Sequence, residues 1–171
     1  MSCTRYHNII NLLKAFSKLK KENSKKLKFI FILQVLDKKY FLEINEFIKT
    51  NFNKNVVIIF QNLDNRYLVN LYRKARFYIF SSYTEVFGMT SLEAMSQKCP
   101  VLISNRSAIP EINKDAALYF NPDNISQTKD VMYKLIYNPK LRKILVKKGD
   151  AHFKKFNWKK TINTTIKILE F

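Results

Sequence analysis

Two carboxylates, Glu85 and Glu93, flank the glycine Gly88 in the stretch SSYTEVFGMTSLEAM at residues 81–95. The chain has only 2 glycines, so one placed here serves a backbone that needs positive φ or close approach to a ligand. Beyond Gly88 the amides of Met89, Thr90 and Ser91 begin a helix, whose unpaired N–H groups and positive dipole end suit a diphosphate. A carboxylate repels phosphate but accepts hydrogen bonds from hydroxyls, and bonds of this charge-assisted kind contribute roughly 1.5–3 kcal/mol. Carboxylates beside an anion site therefore describe a ligand with both phosphate and sugar hydroxyls, a nucleotide sugar. A plainer reading competes with this one: Thr90-Ser91-Leu92-Glu93 fits a capping box, in which Glu93 merely satisfies the amide of Thr90.

The elements around this stretch place it where ligands bind. Ile9, Ile10, Leu12, Leu13, Phe16 and Leu19 recur at helical spacing. The run KFIFIL at residues 28–33 lacks alternation, as expected of a parallel strand covered on both faces. A helix through Phe41, Ile44, Phe47 and Ile48, a strand at 56–60, and a helix capped by Asp64 follow. Strands at 77–80 and 100–104 enclose a short helix at 91–97; a strand at 116–120 and three helices complete the chain. Strand and helix in alternation with short connections predict an α/β fold, a doubly wound parallel sheet forming a single domain over residues 1–171. Ligands of such sheets sit outside the carboxyl ends of the strands, which is where 81–95 falls. A helix beginning within about eight residues of Met1 leaves no room for a first strand, so the domain is expected to lack that strand and to be truncated at its amino end.

Composition narrows the classes. With 171 residues, 47% hydrophobic and 26% charged, the chain is a folded globular domain rather than a disordered or low-complexity one. No apolar run approaches the roughly 20 residues of a membrane helix, and 2 cysteines make neither a disulfide framework nor a metal cluster, so a cytoplasmic location is expected. The net charge of +18 draws polyanions without choosing among them. Its lysines are spread along the chain, with no basic stripe interleaved with aromatics, which argues against a nucleic-acid partner.

The stretch TEVFGMTSLEAMSQKCPVLISNRSAIPEINKDAALYFNPDN closely resembles the donor-binding half of group 1 (family 4) retaining glycosyltransferases of the GT-B fold. LLKAFSKLKK upstream, VNLYRKARFYIFSSY before the motif and NPKLRKILVKKGDAHFKKFNWKKT after it look like the same family. The resemblance implies a Rossmann-like carboxyl-terminal domain that binds a nucleoside-diphosphate sugar and passes a hexosyl unit, with retained configuration, to a glycan or lipid-linked acceptor. It implies no metal and no other cofactor. Glu93 would hold the ribose hydroxyls and Glu85, the candidate catalytic residue, would touch the transferred sugar. Phe87, Gly88, Met89 and Thr90 would present backbone amides, Thr90 its hydroxyl as well, to sugar and diphosphate. The partner implied is an amino-terminal acceptor domain that this chain lacks, so the chain alone is expected to be inactive. A peripheral contact with the inner face of the membrane is expected where the acceptor is lipid-linked.

The departures are specific. Val86 stands where the family has glycine before Phe-Gly, which would be strained if that position required positive φ. The family's basic pair for the diphosphate has its nearest counterparts in Arg5 and His7, at a different spacing, and a neutral histidine supplies less charge. Arg106, in the loop after the strand at 100–104, can reach a phosphate or serve as an ordinary exposed arginine. Trp158 with Phe153 and Phe156 reads as a hydrophobic anchor. Two other classes stay open at this level: a non-catalytic remnant, and a basic module that binds nucleic acid.

Overall fold

The computed structural model describes residues 1–22 and 27–169. Among the described residues six strands and eight α-helices occur, alternating as far as α6: β1 Ser2–Cys3, α1 Ile9–Glu22, β2 Phe29–Val35, α2 Lys38–Asn51, β3 Val57–Gln61, α3 Asn65–Lys74, β4 Tyr78–Phe80, α4 Met89–Ser96, β5 Val101–Ser104, α5 Ile109–Asn113, β6 Ala117–Phe120, α6 Ile125–Tyr137, α7 Pro139–Phe153 and α8 Trp158–Leu169. The strands form two ladders, ordered β1-β2-β3 and β4-β5-β6.

A first strand does exist, against the expectation of none. Two residues suffice for it, with Ser2 opposite Gln34 and Cys3 opposite Val35. A single 3-10 turn at Arg5–His7 and a left-handed Asn8, at φ 52°, then carry the chain directly into α1. Asn8 adopts this conformation because its short polar side chain tolerates it, and its Nδ2 donates to the carbonyl of Pro122 at 2.8 Å. No hydrogen-bonded ladder joins β1 to β4 among the described residues. Side chains and loops stitch the halves instead. Ser81 Oγ donates to the carbonyl of His7 at 2.6 Å, and the amide of Tyr83 to that of Tyr6 at 2.8 Å.

Helices cover both faces, and the strand side chains divide accordingly. All four residues of β5 are buried; Val101 and Ile103 join the cluster that contains Ala94 and Met95 of α4, whereas Leu102 joins the one that contains Leu12, Leu13 and Phe16 of α1 and Leu135 of α6. The apolar stripe read from the sequence of α1 is this second cluster's centre, with Ile9, Leu13 and Leu19 fully buried. Each such side chain contributes about 1.5–3 kcal/mol relative to exposure.

Asp64 and Asp37 cap α3 and α2 through their side chains, bonding the amides of Arg66 and Tyr40, as their short acceptors allow. The prolines at 110 and 139 stand in first turns, where a missing N–H costs nothing. At the far end α8 buries no residue, and Trp158 is 73% exposed. The expectation that Trp158 anchors this region is therefore corrected: its ring faces outward, and Phe156 packs edge-on against Phe87 and His152 instead.

Candidate functional site

The turn that leaves β4 carries the site. Gly88 is left-handed, with φ 74° and ψ 50°, and caps α4. The helix starts at Met89, two residues earlier than the periodicity predicts. The amide of Ser91 bonds the carbonyl of Gly88 at 3.1 Å and its hydroxyl does the same at 2.8 Å. The amides of Met89 and Thr90 precede that first bond and belong to the unpaired amino-terminal set of the helix. This geometry removes the capping-box reading: Gly88 is the cap, no side chain caps the helix, and Glu93 lies more than a turn inside α4. Val86 is not among the left-handed residues and is 92% exposed, so the substitution for glycine there introduces no backbone strain.

The two carboxylates stand in different surroundings. Glu93 is exposed on α4 and acts on Tyr72 of α3, whose phenol is pushed upward by burial first and by the Glu93 charge second. Glu85 is only 24% exposed along its side chain and lies 3.6 Å from Nε2 of His7. Burial raises its pKa, against a smaller lowering by the amino group of Met1. The same chain of causes makes the His7–Glu85 contact a dipole facing a charge and no ion pair at neutral pH. Burial, with the Met1 ammonium nearby, lowers the pKa of His7 to about 4. Nδ1 of His7 lies 2.9 Å from Thr4 Oγ1, so with that nitrogen accepting from the hydroxyl, Nε2–H is directed at Glu85.

The structure thus separates the two residues predicted for the diphosphate. His7 is brought to Glu85, 5% exposed and neutral. Arg5 turns away, its guanidinium 2.6 Å from Glu43 of α2 and 5.1 Å from the ring centre of Tyr40. The spacing placed them on one short turn, and a 3-10 turn sends side chains two apart to different sides.

Thr90, half-buried, has its hydroxyl oxygen accepting from the Tyr78 hydroxyl at 2.9 Å, which leaves the threonine O–H free to donate. Phe87 and Met89 are 39% and 53% exposed at the mouth of the turn. Sequence reading missed the tyrosines: Tyr72 and Tyr78 pack edge to face at 5.6 Å and hold Glu93 and Thr90 from beneath. Their signal was weak, because aromatic residues in a strand and a helix read as core. It also missed Ser107, left-handed at φ 55°, whose hydroxyl donates to the carbonyl of Glu85 at 2.9 Å. Arg106 beside it bonds Asp123 at 2.6 Å, and Tyr83 bonds the other oxygen of that carboxylate at 2.7 Å, so Arg106 is held as a loop clasp. Among the described residues no group of three His, Cys, Asp or Glu side chains is placed to hold a metal ion.

A parallel α/β body with its turn, helix start and acids at the carboxyl ends of the strands is the GT-B kind of domain, and solved structures bear this out. An α,α-trehalose-phosphate synthase (UDP-forming) from Burkholderia xenovorans matches with a TM-score of 0.86 and 14% identity, over 100% of this chain and 43% of that one. The carboxyl-terminal domain of a glycosyl transferase group 1 family protein (LpcC) from Francisella tularensis matches with a TM-score of 0.79 and 22% identity, over 90% of this chain and 81% of that one. The model of the family "Glycosyl transferases group 1" matches residues 2–152, and the chain belongs to that family. Among curated relatives, O-antigen chain mannosyltransferase B of Escherichia coli is 33% identical over 96 residues, 56% of this chain and 25% of that protein. The chain spans about a quarter of the length of such relatives. Among the described residues no helix is long and apolar enough to cross a membrane.

Proposed function

We propose that this chain is the nucleotide-sugar-binding half of a retaining glycosyltransferase that delivers a hexosyl unit to a glycan or lipid-linked acceptor. The observation that carries the reading is the left-handed Gly88 followed by the Met89 and Thr90 amides at the start of α4, with Glu85 on one side and Glu93 on the other. Charge builds on the diphosphate as the glycosidic bond breaks, and fixed amide dipoles stabilise that charge without reorganising. Glu93, exposed one turn along α4, accepts from ribose hydroxyls. Glu85 and the Nε2–H of neutral His7 meet the transferred sugar. No metal or other cofactor is proposed. The acceptor side is supplied by an amino-terminal domain or a partner chain, and the donor half by itself binds without transferring. Trp158, Ile162, Ile166 and Leu169 recur on one exposed face of α8, and Lys160 and Lys167 stand on its opposite, polar face, an amphipathic division that supports a peripheral contact with an anionic membrane at its cytoplasmic face.

The test is a thermal-shift panel of UDP, GDP, ADP and their sugars. A ligand that binds only the folded form raises the melting temperature, so at least one nucleoside diphosphate is expected to do so. Glu93→Ala is expected to abolish the shift while leaving the unliganded melting temperature unchanged. No shift from any nucleotide, or an undiminished shift in Glu93→Ala, overturns the reading.

A further inference from the structure

Glu85 is gripped on two sides. Its carboxylate lies 3.6 Å from Nε2 of His7, and its carbonyl accepts from the hydroxyl of Ser107 at 2.9 Å. Ser107 stands 22 residues further along the chain, in the loop between β5 and α5, so the contact joins two of the loops at the carboxyl ends of the strands.

Ser107 is left-handed, at φ 55°, a conformation that residues with a Cβ avoid. Among the described residues six non-glycine residues have positive φ, and three of these, Asn8, Asn55 and Asn62, are asparagines, which tolerate it. Lys98 and Lys114 close the carboxyl ends of α4 and α5, where such a residue commonly ends a helix. Ser107 ends no helix. A conformation of this kind persists where its surroundings over-determine it, and it is found most often at functional sites.

The surroundings here are a clasp. Arg106 donates to one oxygen of Asp123 at 2.6 Å and to Asn121 Oδ1 at 3.2 Å, and the hydroxyl of Tyr83 donates to the other oxygen of Asp123 at 2.7 Å. Asp123 therefore ties the neighbour of Ser107 to the stretch that carries Glu85. The amide of Asn105 bonds the carbonyl of Phe120 at 2.9 Å and that of Arg106 bonds Ser104 Oγ at 3.1 Å, which fixes the loop at its root. The start of α4 is fastened separately, by the Ser91 amide and hydroxyl on the carbonyl of Gly88. Releasing Ser107 thus frees Glu85 while the Met89 and Thr90 amides stay in place.

We propose that Ser107 is a positioning residue: backed by Tyr83, Asp123 and Arg106, it fixes the peptide of Glu85 so that the carboxylate stays beside His7, preset for a hydroxyl of the transferred sugar. The inference rests on the nucleotide-sugar reading and assigns Ser107 to the sugar end of the donor, away from the diphosphate.

The variant Ser107→Gly removes the hydroxyl, and glycine takes the left-handed conformation freely, so its melting temperature should stay close to that of the wild-type chain. In the unliganded protein, carbon-13 NMR should show the Glu85 carboxyl titrating above the ordinary carboxylate range in wild type, because burial raises it. In Ser107→Gly, free to turn to water, it should move back toward that range. The dissociation constant of a nucleoside-diphosphate sugar should rise about fivefold, as for one lost hydrogen bond, with that of the matching nucleoside diphosphate unchanged. In a Glu85→Ala background the same substitution should alter neither constant, because both changes act through one group. Asp123→Asn, which loosens the clasp, should move the titration and the sugar affinity in the same direction. The proposal is overturned if Glu85 titrates alike in wild type and Ser107→Gly, if sugar and diphosphate forms weaken equally, as a merely structural role would give, or if the loss persists without the Glu85 carboxylate. A titration that moves in a chain that binds no nucleotide would defeat the nucleotide-sugar reading and leave the hold of Ser107 on Glu85 standing; nucleotide binding with an unmoved titration defeats this proposal alone.

Discussion

Acidification is expected to destabilise the fold through His7. Its side chain is 5% exposed, with Nδ1 2.9 Å from Thr4 Oγ1 and Nε2 3.6 Å from Glu85; burial and the Met1 ammonium bring its pKa from 6.5 to about 4. The folded form therefore resists the proton that the unfolded chain takes up. Stability from this source is complete above the unfolded value of 6.5 and is lost as pH falls toward 4. At pH 5 the unfolded imidazole is almost fully charged and the folded one mostly neutral, a difference of about 2 kcal/mol, growing to about 3 kcal/mol at pH 4 and below. Glu85 works in the opposite sense: its raised pKa means the charged form costs stability at neutral pH and that cost is relieved on acidification. Urea denaturation at pH 7 and pH 5 separates the two. The wild-type chain should lose about 2 kcal/mol more than His7→Gln over that interval, whereas Glu85→Gln should lose more than wild type, having no acid-side relief. The general repulsion of a chain at +18 is common to all three proteins and cancels in the comparison. Equal losses in wild type and His7→Gln would refute the assignment of a buried, neutral imidazole.

Two further outcomes follow from particular contacts. A Cβ on Gly88 would meet nothing within 4 Å, so Gly88→Ala costs only the left-handed backbone, about 1 kcal/mol, and Gly88→Asn less; melting curves in which alanine equals glycine would contradict the turn as described. Vesicles with anionic headgroups should retain the chain on flotation, zwitterionic ones should not, and Ile162→Ser with Ile166→Ser should abolish retention without lowering the melting temperature; retention that ignores headgroup charge or survives these substitutions would exclude α8 as the contact.

Much of the fold was legible because its elements obey simple periods. The stripe in α1, the unbroken apolar run of β2 and the acid that caps α3 are local signals, and the structure keeps each within a residue or two. β1 was not legible. Two residues carry no period, and their strand character comes from pairing with Gln34 and Val35, each 32 residues further along the chain. The same limit applies to the site. Gly88 and the helix start can be read locally, as can the presence of two acids. The capping motif around Thr90 was misleading because the left-handed glycine starts the helix earlier. Which of Arg5 and His7 turns toward Glu85 depends on a 3-10 turn and on Glu43 standing ready on α2, neither of which has a sequence signature. Tyr72 and Tyr78 beneath the acids, and Ser107 bonded to the backbone of Glu85, are contacts between elements far apart in sequence, visible only once the strands are side by side.

The most direct test is a crystal of this chain soaked with the nucleoside diphosphate that gives the largest thermal shift. Phosphate oxygens should lie about 3 Å from the amides of Met89 and Thr90, with the ribose hydroxyls on the carboxylate of Glu93. A ligand bound elsewhere, or a turn at Gly88 with nothing against its amides at saturating concentration, would contradict the account.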